Sequence, residues 1–333
     1  MKRILVVGGG LIGMRHAQAV MHHPDCALVG LADPDPTIQI DAPRFSCMGS
    51  VEAEVDGAII ATPTHLHADH GIEAAQRGWH VLIEKPVAGS VGDAQRLQAA
   101  LQGAGVQSLV GHHRRYHRSL QQLRGKIAEG AIGRVINVSL LWAMRKPDSY
   151  FQQNWRTSDG SPVMINLVHD IDVLRFVIGE ITQIAALRGA SLRESERIES
   201  GAIALAFDTG ATGTISFTDA APSPWGFEAG TGENPNIGTT GQDMMWITGT
   251  QGAISYPSMT LWQGQDWGTA ATRQPLETPI QDQPPLAAQL DHFLEVIDGA
   301  APLIDVADAA RTLEIATMIE ETLRAQPAGA GYS

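Results

Sequence analysis

Apolar residues arrive in short runs through the first third of the chain. Ile4-Leu5-Val6-Val7, Ala27 to Ala32, Ala58-Ile59-Ile60-Ala61, Val81-Leu82-Ile83 and Gln107 to Val110 predict strands buried on both faces. Helical patterns lie between them, at Leu11 to His22, about Leu66 to Gln76 and about Val91 to Leu101. Strands alternating with helices predict a parallel sheet covered on both sides. The stretch from Asp33 to Ala58 breaks this rhythm. Its prolines, Pro34, Pro36 and Pro43, predict a loop or a degenerate βα unit.

Beyond about residue 120 the texture changes. Val135 to Trp142 alternates as a strand, and Val163 to Ile178 reads as a buried helix. Strand-like runs follow at Ile181 to Leu187, Gly201 to Phe207, Ala211 to Phe217, Met244 to Ile247, Ala253 to Tyr256 and Thr260 to Trp262. Closely spaced strands with turn residues between them predict a mainly antiparallel sheet. The segment Asp219 to Gly241 is rich in Gly, Pro, Ala and Thr, and a loop of that length marks a functional or a mobile element. The chain then returns to helix at about Leu286 to Ile297 and Val306 to Leu323. In the second of these, Val306, Ala309, Leu313, Ala316, Ile319 and Leu323 form one apolar stripe. The pattern predicts domains at 1–119 and 120–285, with closing helices over 286–325.

Composition narrows the classes. A chain of 333 residues with 44% hydrophobic and 18% charged residues is long enough for about two globular domains. The net charge of −13 argues against a nucleic-acid partner. Two cysteines, Cys26 and Cys47, make no disulfide framework and no metal spacing, which suggests a reducing, cytoplasmic setting. No run reaches the roughly 20 apolar residues of a membrane span. Six of the seven tryptophans fall between Trp142 and Trp267, where they suit a sheet face, a subunit contact or stacking on a sugar ring.

Two motifs carry chemistry. Gly8-x-Gly10-x-x-Gly13 follows the first strand and opens the first helix, the context a dinucleotide site needs. Gly8 permits the turn, Gly10 lets a pyrophosphate approach the backbone, and Gly13 lets helix pack on strand. The first helical turn, with Leu11 and Ile12, offers N–H groups to the phosphates. Asp33 ends the second strand near the expected spacing. Its carboxylate suits ribose hydroxyls and repels a 2′-phosphate, and no arginine immediately follows it, so NAD is preferred over NADP. The second motif is Glu84-Lys85-Pro86 at the end of the fourth predicted strand. Only four lysines occur, Lys2, Lys85, Lys126 and Lys146. Lysine can lose a proton or aim one ammonium at an oxygen, whereas arginine stays charged and planar. A surface lysine before a loop proline is the plain alternative.

With the fingerprint, Ala61-Thr62-Pro63-Thr64-His65-Leu66-His67 and Glu84-Lys85-Pro86 in order, the chain resembles the Gfo/Idh/MocA oxidoreductases. Gly111-His112-His113-Arg114-Arg115-Tyr116 and Val168-His169-Asp170-Ile171-Asp172 extend the likeness, as do the final helices. The resemblance implies an α/β protein, with an N-terminal Rossmann domain, a C-terminal α+β domain with a large, mainly antiparallel open sheet, and a cleft between them. It implies hydride transfer between NAD and a hydroxyl-bearing carbon of a sugar, polyol or cyclitol, and a homodimer or homotetramer. It also places Thr62, Pro63, Thr64, His67, Glu84 and Lys85 with the cofactor. Lys85 then reaches the substrate, and His169 serves as general acid/base.

Alcohol oxidation removes a proton from oxygen as hydride leaves carbon. A histidine near its ordinary pKa suits that transfer, and a nearby cation stabilises the developing alkoxide. On a regular helix Asn166, His169 and Asp172 share a face. Many relatives place an aspartate four residues before the histidine as a proton relay. Ile165 stands there in this chain, so Asn166 or Asp172 is left to relay the proton or orient the ring or substrate. Arg115, Tyr116, Trp155 and Arg156 are candidate substrate-cleft residues. The clusters His65, His67, His70 and His112, His113, His117 match no zinc spacing, so no metal is expected. Two other activities suit the same motifs, an NAD-using glycoside hydrolase and a non-catalytic dinucleotide sensor. The sequence leaves the substrate, the reacting hydroxyl and the physiological direction open.

Overall fold

The computed structural model describes residues 1–151, 161–193, 197–264, 266–278 and 280–327. They form two compact units, Met1–His117 with Asp282–Glu314, and Arg118–Gln281 with the chain from Ile315 on.

The first unit is a six-stranded parallel sheet. Its strands are β1 (Lys2–Val7), β2 (Cys26–Ala32), β3 (Arg44–Phe45), β4 (Gly57–Ile60), β5 (His80–Ile83) and β6 (Ser108–Val110), in the order β3-β2-β1-β4-β5-β6. Ile4, Leu5, Val6, Ile59, Ile60, Leu82 and Ile83 are fully buried, which is why these strands read as continuous apolar runs. The order reverses between β1 and β4, and ligands of such sheets bind at the carboxyl ends of strands flanking that switch. The helices α1 (Leu11–His22), α2 (His67–Gln76) and α3 (Val91–Ala104) connect the strands. In α3, Ser90 Oγ accepts the Asp93 N–H at 3.1 Å as an N-cap, and Gly105, with φ of 67°, ends the helix in the left-handed region. The irregular stretch after Asp33 holds only the two-residue β3 and a 3-10 turn at Met48–Ser50.

The same unit takes in the later segment. Along the edge of β6, the Val110 N–H donates to Ile304 O at 3.0 Å, and Gln289 Nε2 donates to Val110 O at 3.1 Å.

The second unit contains α4 (Arg118–Ala128) and an eight-stranded sheet. Its strands are β7 (Val135–Ala143), β8 (Ile181–Arg188), β9 (Ser200–Phe207), β10 (Thr212–Thr218), β11 (Met245–Gly249), β12 (Ala253–Tyr256), β13 (Thr260–Gln263) and β14 (Thr272–Pro275). The order is β14-β13-β12-β11-β7-β10-β9-β8, and only the β7–β10 pair is parallel. One face alternates into the core through Val138, Leu140, Ile203, Ile215 and Ile247. The registers place Leu187, Ala202, Ala204, Thr214, Ser139 and Trp246 on the opposite face. No charged side chain occurs among those six.

The continuous helix expected over Val163 to Ile178 is two structures. Val163–Leu167 is a π turn, and α5 (Val168–Val177) follows it as a helix in which every residue is buried. Hydrophobic periodicity cannot distinguish the two windings over a single turn. The wider π turn changes the angular step, so the three-residue spacing that aligns His169 with Asp172 does not extend to Asn166. Within the long loop lies a short helix, α6 (Phe227–Thr231). The closing helices are α7 (Pro285–Ile297) and α8 (Val306–Arg324).

Candidate active site

In the first unit the glycine loop joins β1 to α1. Gly8 has φ of 98°, and a Cβ there would stand 2.6 Å from Ala61 O. A Cβ on Gly13 would fall 1.9 Å from Gly8 O, whereas one on Gly10 meets nothing within 4 Å. The loop is thus closed on the protein side and open above Gly10, which fits a pyrophosphate lying against backbone. No side chain caps the start of α1, and Leu11 is 75% exposed there. Asp33 Oδ2 accepts the Gly9 N–H at 2.6 Å, and Oδ1 accepts the Asp35 N–H at 2.8 Å. Each carboxylate oxygen retains a lone pair for a ribose hydroxyl.

The loop after β4 carries Thr62, exposed Pro63 and Thr64, which begins a 3-10 turn. Thr62 Oγ1 lies 3.1 Å from His70 Nδ1. His67 was expected to line a cofactor cleft, but the structure turns it inward. It is 1% exposed, with Nδ1 2.8 Å from Pro86 O and Nε2 2.8 Å from Thr62 O. Both polar atoms brace the main chain on either side of it. Burial pushes its pKa down, and the two carbonyls only partly oppose that.

Glu84 is also withdrawn from the role expected of it. Its carboxylate takes His16 Nε2 at 2.8 Å and the Lys85 N–H at 3.1 Å. Gly111 packs so closely that a Cβ there would stand 2.9 Å from Glu84 Cδ. Burial opposes the charge of Glu84. The hydrogen bond and potential of His16, with His113 and Lys85, outweigh burial and hold the pKa at about 2. Lys85 follows directly, half-buried, with a cis bond to Pro86.

Arg115 and Tyr116, expected in a substrate cleft, lie inside this unit instead. Arg115 Nη1 donates to Asp308 Oδ2 at 2.8 Å and to Leu303 O at 3.1 Å. The Tyr116 ring stands 5.9 Å from that of His292, and burial raises the pKa of its phenol. The 3-10 turn His113–Tyr116 packs on the segment that returns after residue 282, which is what buries both side chains. Trp155 and Arg156 lie outside the described residues.

In the second unit His169 and Asp172 sit on α5, 8% and 1% exposed. Asn166, in the π turn, belongs to a cluster that the motifs did not announce. Lys146 Nζ donates to Asn166 Oδ1 at 2.6 Å, and Asn166 Nδ2 donates to Glu228 Oε1 at 3.5 Å. Trp142 Nε1 donates to Glu228 Oε2 at 3.3 Å. The Lys146 ammonium also faces the rings of Tyr150 and Trp142, at 5.0 and 5.5 Å. Among the described residues no three His, Cys, Asp or Glu side chains gather as a metal site.

Residues 2–112 match the model of an oxidoreductase family with an NAD-binding Rossmann fold, and residues 120–255 match the Gfo/Idh/MocA C-terminal domain. The chain belongs to the Gfo/Idh/MocA oxidoreductase family. Among its curated relatives is the 2,7-anhydro-N-acetylneuraminate hydratase of Escherichia coli, 29% identical over 57% of this chain and 53% of that one. The inositol 2-dehydrogenase of Rhizobium meliloti is 30% identical over 54% of this chain and 55% of its own. The matches to these two relatives thus span about half of each. The fold extends further. The WlbA dehydrogenase of Bordetella pertussis, solved with NADH and UDP-GlcNAcA, superposes with a TM-score of 0.78 at 24% identity and covers 100% of both chains. UDP-N-acetylglucosamine 3-dehydrogenase from Acidithiobacillus ferrooxidans gives 0.76 at 20% identity, over 97% of this chain and 98% of that one. The chain thus carries the NAD-binding Rossmann domain of this oxidoreductase family, and its loop above Gly10 and its Asp33 suit that cofactor.

Proposed function

We propose that this Gfo/Idh/MocA protein is a dehydrogenase acting on a CH–OH group of a sugar, polyol or cyclitol. One observation carries the reading. A lysine, rare in this chain, stands two residues past β5 of the NAD-binding unit, directly after a buried, charged glutamate that accepts its backbone N–H. Inositol 2-dehydrogenase among the relatives supports the substrate class.

NAD, when bound, supplies the hydride acceptor. Gly8, Gly10 and Gly13 admit its pyrophosphate, and Asp33 takes the ribose hydroxyls. The Lys85 ammonium stabilises negative charge on the reacting oxygen. His169 takes the hydroxyl proton, and Asn166 orients the alcohol. No carboxylate at position 165 passes that proton on, since Ile165 stands there.

A second copy of the chain is proposed to cover the charge-poor face of the eight-stranded sheet, where Leu187 is 70% and Trp246 38% exposed. Homodimer and homotetramer both satisfy this.

The test is NADH formation from NAD across a panel of sugars, polyols and cyclitols, with Lys85→Ala and His169→Ala alongside. Turnover that drops at least about a hundredfold in each variant is expected. Unchanged turnover in both overturns the assignment. Release of an aglycone without net NADH identifies the glycosidase reading instead.

A further inference from the structure

Lys85 has a neighbour whose placement the proposed chemistry does not use. His16 lies on α1, the helix whose first turn faces the dinucleotide loop, and it is 1% exposed. Its Nε2 meets Glu84 Oε1 at 2.8 Å across 68 residues of sequence. Its Nδ1 has no hydrogen-bond partner among the described residues, so the ring's polar contact is directed at the carboxylate alone. The other Glu84 oxygen accepts the Lys85 N–H at 3.1 Å. Gly111 closes the remaining side, where even a methyl group would collide with the carboxylate. Thus Glu84 has one position available, and His16 is the side chain that holds it there.

We propose that His16 is a positioning residue for Lys85. By holding the Glu84 carboxylate charged and fixed at the end of β5, it sets both the backbone and the ammonium charge of the lysine. This rests on the reading of Lys85 as the group that meets the reacting oxygen. The physical link is electrostatic as well as mechanical. A buried carboxylate deprived of its donor takes up a proton, because desolvation disfavours the charge. A neutral Glu84 then no longer supports the ammonium beside it. The charged and titratable groups that face Glu84 are His16 from α1, His67 from α2, Lys85 from its own segment and His113 from the turn after β6. Of the three histidines, only His16 makes a hydrogen bond to the carboxylate among the contacts described.

The test reads the lysine directly. Wild type, His16→Leu, His16→Gln and Glu84→Gln are labelled with acetic anhydride between pH 7 and 10.5, and each lysine peptide is quantified by mass spectrometry. Circular dichroism and NAD titration check folding. Lys126 of α4, paired at 2.8 Å with Glu129 just past the helix, is the internal reference. In His16→Leu the midpoint for Lys85 moves to lower pH, the direction expected when a nearby opposite charge is lost. The same displacement is expected in Glu84→Gln. His16→Gln restores an N–H donor and returns the midpoint toward wild type, and Lys126 stays fixed throughout. A folded, NAD-binding His16→Leu with an unmoved Lys85 midpoint overturns the proposal. Where His16→Leu does not fold, Glu84→Gln decides by the same measure. Labelling needs no turnover. A shifted midpoint in a protein that oxidises none of the panel therefore upholds the positioning and rejects the dehydrogenase reading.

Discussion

The ammonium of Lys146 and the carboxylate of Glu228 fix the side-chain amide of Asn166 from its two ends. An ammonium only donates and a carboxylate only accepts, so Oδ1 faces Lys146 and Nδ2 faces Glu228. The amide has one further N–H to give, so Asn166 can donate a hydrogen bond but cannot act as a base.

Lys146→Met removes one end of that clamp. The half-buried amide oxygen loses its partner, a loss of about 1 kcal/mol in stability. The free amide can then rotate, so KM for the alcohol rises about tenfold while kcat changes less. Thermal melts and steady-state kinetics measure the two effects. Equal losses in kcat and kcat/KM, with KM unchanged, would place Lys146 in the chemical step instead.

Acid sensitivity follows from burial in the nucleotide-binding unit. His67, His70 and His80 all have pKa values pushed down, chiefly by burial. A histidine with a lowered folded pKa binds its proton more readily when unfolded. Its contribution is complete above the unfolded value of about 6.5 and is lost as pH falls through the folded one. Glu84 adds a second, lower window. Its contribution is present above the ordinary carboxyl value of 4.5 and is lost as pH falls toward about 2. Melting temperature is therefore expected to decline in two stages on acidification. His67→Gln is expected to flatten the upper stage.

Asp33 is expected to decide between the two nicotinamide cofactors. Its carboxylate, tied to Gly9 and Asp35, meets a 2′-phosphate with like charge. Asp33→Ser should shift the NAD-to-NADP ratio of kcat/KM at least about tenfold toward NADP, a change of about 1.4 kcal/mol. An unchanged ratio would show that the ribose hydroxyls are read elsewhere.

Thr214 stands opposite Ser139 and Ala204 in the middle of the open sheet face. Thr214→Arg places a charge there without touching the core, and light scattering after gel filtration is expected to show monomers in place of the wild-type oligomer. A wild-type protein that is already monomeric rejects the proposed contact.

The sequence made the nucleotide-binding half legible because its central strands are continuous buried apolar runs bounded by turn residues, and only the short, partly exposed β3 escaped it. The surface elements of the other half were harder to see. Helix α4 buries only Leu120 and Leu123 among arginines, glutamines and a lysine, so its low apolar content hides it, and the Thr272–Pro275 strand is exposed along its length and shows no buried face. The π turn was invisible for a different reason, since one turn is too short for a period to be measured. Motifs singled out Lys85 and His169 as candidates. They could not say that His67 and Glu84 turn inward, or that Lys146 meets Asn166, because partners 19 to 68 residues apart are chosen by packing.

The bond from Val110 to Ile304 also orders events during synthesis. When residue 120 leaves the ribosome, all six strands of the first sheet exist, yet the backbone that will occupy the rim of β6 does not. At translation speeds of about 5–20 residues per second, that rim waits roughly 10–40 s for its cover. A nascent chain in this interval presents an unsatisfied sheet margin, the kind of surface that recruits chaperones or pairs wrongly with another nascent chain. Stalling between residues 120 and 300 should therefore aggregate the protein more than stalling after α7 and Ile304 have emerged.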